Sequence, residues 1–467
     1  MKKILWGTLI LMAATVRLLG QGNIAIDTSQ HFSAARNFSF TSNPNGEWSY
    51  GYTFGLSDAF NLYTTPGTTY FSGEQGWFGP ISSDWGPGFP LVVAEPSGAA
   101  TVLDMGPGPS SYTVVRWTAP SNRRWDIVGQ FFGTGLTTAD VHVLRNNHSI
   151  LNSPLNGSDV VQFFRVVSPG EGGTVDFAAG PGPNGDNGAD PTGFEATIAP
   201  HLYNFTTVDY PGATDTRLFG INAHNEAVGA YLDAAGNPHG FRLKAGAFTS
   251  VEPVGAVLSQ ARAINDAGTI TGWFQEESGS MHGFVFQNNA FTVFDVPGAA
   301  HSQGLGINNR GGIVGAYDTG DITTSIGFVW RNGRFTSFEV PGSASGTTSA
   351  SGVNDEGQVV GIYGDAVGNS HAFLRSRGVY RTIDLPHSDS TLATGINEAG
   401  SVAGNYFPDD ATGTHGFVLK QGKATIVEFP VLMSRTRVRG INEEGALVGF
   451  YSPEGTTVHA FVGKPAE

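Results

Sequence analysis

The sequence predicts an all-β chain: an antiparallel β-sandwich followed by a six-bladed β-propeller whose last blade is closed by a strand from the propeller's own N-terminus. Three observations predict it. Glycine fills 66 of 467 positions and aromatic residues make up 11%, a composition suited to many short strands joined by tight turns. A unit of about 44 residues, the length of one four-stranded blade, recurs six times in residues 201–467. Residues 21–200 lack that period and instead alternate apolar and polar positions between Gly/Pro/Asn/Ser-rich turns, the pattern of a sandwich. With 40% hydrophobic residues the chain can fill a core, which argues against disorder.

The first element is an address. Lys2 and Lys3 precede an apolar run from Ile4 to Val16, too short to span a bilayer and typical of a secretory signal. Gly20 marks a cleavage point, so residues 1–20 read as the signal. The mature chain is expected outside the cell or in the periplasm. Without Cys there is no disulfide framework, lipid-anchoring thiol or thiolate metal site. The formal charge of −15 becomes −18 once Lys2, Lys3 and Arg17 leave with the signal. Such acidity repels phosphate backbones, so no nucleic acid is expected, and no stretch after the signal is long and apolar enough to cross a membrane, so no membrane insertion is expected. The chain is expected to act as a monomer.

The predicted sandwich spans residues 21–200. Its strands include Tyr112–Trp117, Trp125–Phe132, Asp140–Leu144 and Val160–Phe164. Trp117-Thr-Ala-Pro and the Gly/Asn-rich tail from Val175 to Phe194 resemble the jelly-roll or galactose-binding-like modules of secreted bacterial proteins. Trp117 and Trp125 read as core. Trp48, Trp77 and Trp85 stand in Gly/Pro-rich contexts, where an exposed ring would stack on a sugar. Asp186 and Asp190 carry oxygens suited to Ca²⁺, but no EF-hand spacing surrounds them. That loop reads as solvated, and no cofactor is expected.

The repeats begin after a hinge near Ile198–His201. Gly-Ile-Asn or a close variant ends at Asn222, Asn265, Asn308, Asn354, Asn397 and Asn442. Three residues after each Asn stands Asn225, Gly268, Gly311, Gly357, Gly400 or Gly445. This is a tight turn in which Gly, or next best Asn, takes the left-handed position. Then come a Gly, an aromatic residue, and a His in five copies (His239, His282, His371, His415, His459). The first repeat material, Tyr203–Pro211, matches a fourth strand, and the last, from His459, matches a third. Each end completes the other, which predicts a closed ring with no long free edge.

The pattern Gly-Ile-Asn-x-x-Gly-x-Val-Gly-x-Tyr…His-Gly-Phe…Phe-Asp-x-Pro-Gly resembles the HAF repeat of bacterial extracellular proteins. It departs at Ile326, where His is missing, and at Pro386-His387 and Pro430-Val431, where Pro-Gly is lost. The resemblance implies export and repeat architecture and supplies no catalytic residues.

One His per blade would be spread around the ring, so these imidazoles read as strand-start groups bonded to nearby backbone rather than as a metal site. Function is expected where the copies diverge. Two before each Asn the residue is always small, whereas three, five and seven before it vary. Arg217, Arg262, Arg437 and Arg439, with His301, occupy such positions. They are expected to border one mouth of the channel and bind a carboxylate or sulfate, unless acids of adjacent blades neutralise them. Enzyme signatures are absent: there is no Gly-x-Ser-x-Gly, His-Glu-x-x-His, phosphate loop or sialidase box. The leading expectation is a secreted, non-enzymatic binding protein for an extracellular glycan or other surface polymer. The alternatives are a propeller glycoside hydrolase or polysaccharide lyase acting at the axis, and a structural or adhesion protein.

Overall fold

The structure is a computed structural model. It describes residues 18–19, 24–26, 32–68, 75–79, 91–94, 102–133, 135, 137–183, 192–409, 413–431, 434–453 and 457–466. Trp85, Asp186, Asp190 and all of the predicted signal except Leu18–Leu19 lie outside the described residues. The described residues are all-β. The chain divides into two compact units. One is Thr28–Leu202 with Pro430–Met433; the other is Met1–Asp27, Tyr203–Phe429 and Ser434–Glu467.

Two antiparallel sheets build the first unit. In one, Tyr112–Thr118 lies between Thr174–Gly180 and Trp48–Thr53. In the other, Trp125–Gly133 lies between Val160–Val167 and Thr192–Pro200. Both sheets send side chains into one core. Trp117 meets Trp125 edge-on with ring centroids 5.0 Å apart, and Phe177 meets Phe194 at 4.9 Å. All four rings are buried, and such aromatic pairs add to the stabilisation from buried area.

The second unit holds six four-stranded antiparallel arrays, one per repeat. Their first strands are Thr216–Ile221, Ala256–Ile264, His301–Ile307, Ser349–Val353, Ser388–Ile396 and Arg435–Ile441. Five arrays use consecutive strands. In the sixth, Tyr203–Val208 pairs antiparallel with His459–Pro465, so the start of the unit supplies the outermost strand of its end. Leu18–Leu19 and Ala25–Ile26 add short parallel strands to the fourth and fifth arrays.

The turn asparagines tie these arrays together. Each is buried, and its Oδ1 accepts the backbone N–H four residues on, as from Glu226 at 3.0 Å and Ala446 at 2.8 Å. Each Nδ2 donates to the backbone carbonyl of the next repeat's Asn, from Asn222 to Asn265 and on to Asn442, at 2.9–3.2 Å. Asn442 then donates to Asn222 at 3.0 Å. The six bonds form a closed circuit. Asn225 holds φ 58° where Gly268 holds 77°, the left-handed conformation predicted for that turn.

Candidate functional site

Every first strand breaks its pairing at one shared place, and Ala256–Ile264 and Ser388–Ile396 break it a second time near their starts. The register shifts between Leu218 and Gly220, Ala261 and Ala263, Gly304 and Gly306, Ala350 and Gly352, Ala393 and Gly395, and Val438 and Gly440. A bulge leaves one residue out of the ladder and re-aims its side chain. The six residues so released are Phe219, Arg262, Leu305, Ser351, Thr394 and Arg439. All six line one cavity of about 130 Å³, together with Ser349, Ile362, Leu392 and Ala393.

The cavity is two-sided. Phe219, Arg262 and Arg439 come from the first, second and sixth repeats. Arg262 Cζ lies 4.2 Å from the Phe219 ring centre and Arg439 Cζ lies 5.7 Å from it, so a cation–π contact holds each guanidinium. Opposite them stand hydroxyls and aliphatic groups. Among the described residues no carboxylate lies within ion-pair distance of Arg262, Arg437 or Arg439. Arg262 donates from Nη1 to Gln260 Oε1 at 3.1 Å, and its buried Nε has no partner. Burial pushes the Arg262 pKa well down, and repulsion from Arg439 and Arg217 adds to it. Burial, then Arg437 and Arg217, takes Arg439 down to about 10. A guanidinium keeps its proton in proteins, so both line the cavity as cations with no carboxylate partner among the described residues.

Arg217 and Arg437 stand two residues earlier on their strands and share Phe450, with Cζ 5.2 and 5.8 Å from its ring centre. Arg217 is neutralised by Asp215 through bonds of 2.8 and 2.6 Å. His301 is not part of this cluster's contacts; its Nδ1 donates to Asp318 at 2.9 Å. The expectation of exposed tryptophans gives way at two positions. Trp48 is 1% exposed and packs beside Phe177; Trp77 is 6% exposed and donates from Nε1 to the Ser39 carbonyl at 2.7 Å. Their Gly/Pro-rich surroundings allow close sheet packing that covers both rings, leaving no face for a sugar.

The repeated histidines bond to carboxylates, not to backbone as expected. His239 donates to Glu252 at 2.5 Å, His282 to Asp295 at 2.9 Å, His371 to Asp384 at 3.0 Å and His415 to Glu428 at 2.6 Å. His459 donates to Asp209 at 2.9 Å, across the junction between the ends of the unit. Tyr231, Tyr363 and Tyr451 pack on His239, His371 and His459. A wider cavity of about 440 Å³ includes His371, Asp384, Ser388 and Asp389. Asp384 and Asp365 hold both nitrogens of that imidazole, so it offers no free base. The arginine cavity is the stronger candidate because its charges are unspent.

No known protein-family pattern matches the chain, and no curated protein matches it. Among solved structures, a triple-arginine mutant of AofleA from Arthrobotrys oligospora is similar at 12% identity and TM-score 0.38, over 56% of this chain and 87% of that one. The β-propeller domain of the Trilobed protease from Pyrococcus furiosus is similar at 7% identity and TM-score 0.36, over 76% and 93%. A six-bladed fungal lectin, Aleuria aurantia lectin, is similar at 8% identity and TM-score 0.35, over 56% and 92%. Likenesses this distant carry no argument about what this chain binds.

Proposed function

We propose that this chain is an exported, non-enzymatic binding protein that holds an acidic group of an extracellular glycan or other surface polymer in its arginine cavity. In this reading residues 21–200 form a β-sandwich and residues 201–467 a six-bladed β-propeller of HAF-type repeats closed by Tyr203–Val208. The six-asparagine circuit and the pairing of Tyr203–Val208 with His459–Pro465 support the closed ring. One observation carries the function: Arg262 and Arg439 line a single cavity, and among the described residues no carboxylate lies close enough to neutralise them. Buried cations without counterions are costly to keep, and an anionic ligand supplies the missing charge through paired N–H donors.

Calorimetric titration with glucuronate, galacturonate and sulfate at fixed ionic strength tests the reading. Saturable binding that disappears in the double variant Arg437→Ala/Arg439→Ala, with the fold intact by circular dichroism, is the expected result. Absence of saturable binding to any of the three overturns it in favour of a structural protein. Release of reducing ends or unsaturated products from a polysaccharide panel would overturn the non-enzymatic part.

A further inference from the structure

The arginine cavity is blocked on one side. Moving from the bulge residues toward the turn asparagines, the next level is formed by Gly220, Ala263, Gly306, Gly352, Gly395 and Gly440, and there the neighbouring backbones touch. A Cβ added to Gly220 would sit 2.9 Å from Ala263 Cα, one on Gly352 3.2 Å from Gly395 Cα, and one on Gly440 3.3 Å from Gly220 Cα. Beyond that level the asparagine circuit ties all six strands together.

The blocked end is also acidic. Asp266 accepts from Ala223 N–H at 2.8 Å, Asp355 from Arg310 N–H at 3.2 Å, and Glu443 from Glu398 N–H at 2.7 Å, each bond crossing between neighbouring repeats. Arg217, two residues toward the strand starts and with its side chain 39% exposed, marks the opposite, open side. An anion therefore has one way in, past Arg217 and Arg437, and one way out.

We infer that the site recognises chain ends: it takes a single terminal carboxylate-bearing sugar of an acidic glycan, and the rest of the chain leaves by the mouth it entered. This rests on the anion-binding reading above and narrows it. Three features support it. The cavity of about 130 Å³ is smaller than the ~150 Å³ void that accepts one benzene, so it has room for the carboxylate and the ring edge that bears it, and for no second sugar. Its charged side offers Arg262 and Arg439 to the carboxylate, while Ser349 and Ser351 line it with hydroxyl groups suited to those of a sugar; the Thr394 hydroxyl is held by the Val438 carbonyl at 2.9 Å. An internal sugar needs an exit for both of its neighbours, and the packed glycines and asparagine circuit leave only one.

Titration with reduced-end oligogalacturonates of two, four and eight sugars, at physiological salt and on the full chain, reads the difference. End recognition predicts one ligand per protein and the same affinity per mole of chain at every length. Recognition of internal sugars predicts affinity that grows with the number of equivalent residues, about fourfold from dimer to octamer; that result overturns chain-end recognition and leaves the anion site standing. Failure of every oligomer, and of free galacturonate and glucuronate, overturns both. The single variant Arg439→Ala, folded by circular dichroism, should lose the length-independent binding; length-independent binding that survives it places the end elsewhere and overturns this inference.

Discussion

Asn442 donates from its side-chain amide to the backbone carbonyl of Asn222, 3.0 Å away and 220 positions earlier in the chain. The same amide group accepts from Ala446 N–H at 2.8 Å. One side chain thus shapes its own turn and joins the last repeat to the first. A turn Asn or Asp can do the former alone. Doing both fixes a reach that only Asn supplies, since Asp lacks the donor.

Asn442→Ala is expected to strand the Ala446 N–H in a buried setting, at about 1–3 kcal/mol, and to cut the link to the Asn222 carbonyl, which keeps only its bond from Asn225 N–H at 3.1 Å. The urea midpoint should fall with an unchanged slope. Asn309, exposed and bonded to Asp266 at 2.8 Å, is the control, and Asn309→Ala should cost under about 1 kcal/mol. Equal losses in the two variants would show that the circuit contributes nothing special.

Arg439→Met should stabilise the ligand-free protein, on the order of 1 kcal/mol, because a desolvated cation that Arg437 and Arg217 repel is removed. Glucuronate at matched ionic strength should raise the melting temperature of the parent chain, as any ligand of the folded state does, and leave that of the variant unmoved. A variant that melts lower without ligand would mean that packing of the Arg439 stem on Phe219 outweighs its charge.

Much of this was legible in the sequence because spacing is a physical quantity. The repeated Asn, the left-handed Gly or Asn225 three later, and the small residue two before each Asn together mark a turn and a crowded strand. The varying residues beside them mark where the copies are free to differ, which is how Arg262 and Arg439 stood out. The bulge was not legible. Simple alternation puts positions three and five before the Asn on one face without showing that only the former leaves the ladder. Phe219 and Phe450, which seat the guanidiniums, were missed because a lone aromatic in a strand reads as core. The His–carboxylate pairs were missed because four of the partners lie thirteen residues on, across a hairpin whose register a sequence does not display, and the fifth, Asp209, lies 250 positions before His459. Trp48 and Trp77 were misplaced because Gly/Pro-rich surroundings do not reveal a covering sheet.

His239 makes one of those pairs titratable in a useful range. Burial works against its charge, but hydrogen bonds to Glu252 and Asp233 win, and its pKa is raised. A His whose folded pKa exceeds the unfolded value of about 6.5 stabilises fully below that value, and the contribution fades as pH climbs through the folded pKa. Since the ring is a quarter exposed, about 0.5 kcal/mol is a reasonable size. His239→Gln should flatten the fall in stability that sets in as pH rises above about 6.5, measured by chemical denaturation at each pH. A variant that keeps the parent's slope there would assign the titration to other groups.

Closure makes the sharpest structural prediction. Phe205 sits on Tyr203–Val208, the strand that the start of the unit lends to its end, and packs on Phe429 and Phe461 with ring centroids 5.3 Å away in each case. Backbone pairing sets Phe205 opposite Gly463, and a Cβ on that glycine would lie 2.8 Å from the Phe205 ring, so the ring fills the space that the glycine leaves. Phe205→Ala should loosen the strand without disturbing any loop and cost about 2–3 kcal/mol, less than a fully buried Phe. The loss should be local before it is global. Amide exchange along His459–Pro465 should speed up first, because those N–H groups lose a partner strand and become a free edge. The first array, Thr216–Ile221 with Ala227–Leu232, should keep its protection. Uniform acceleration across all six arrays would mean the strand is no separate closing element, and unchanged exchange at His459–Pro465 would mean it does not close the ring at all.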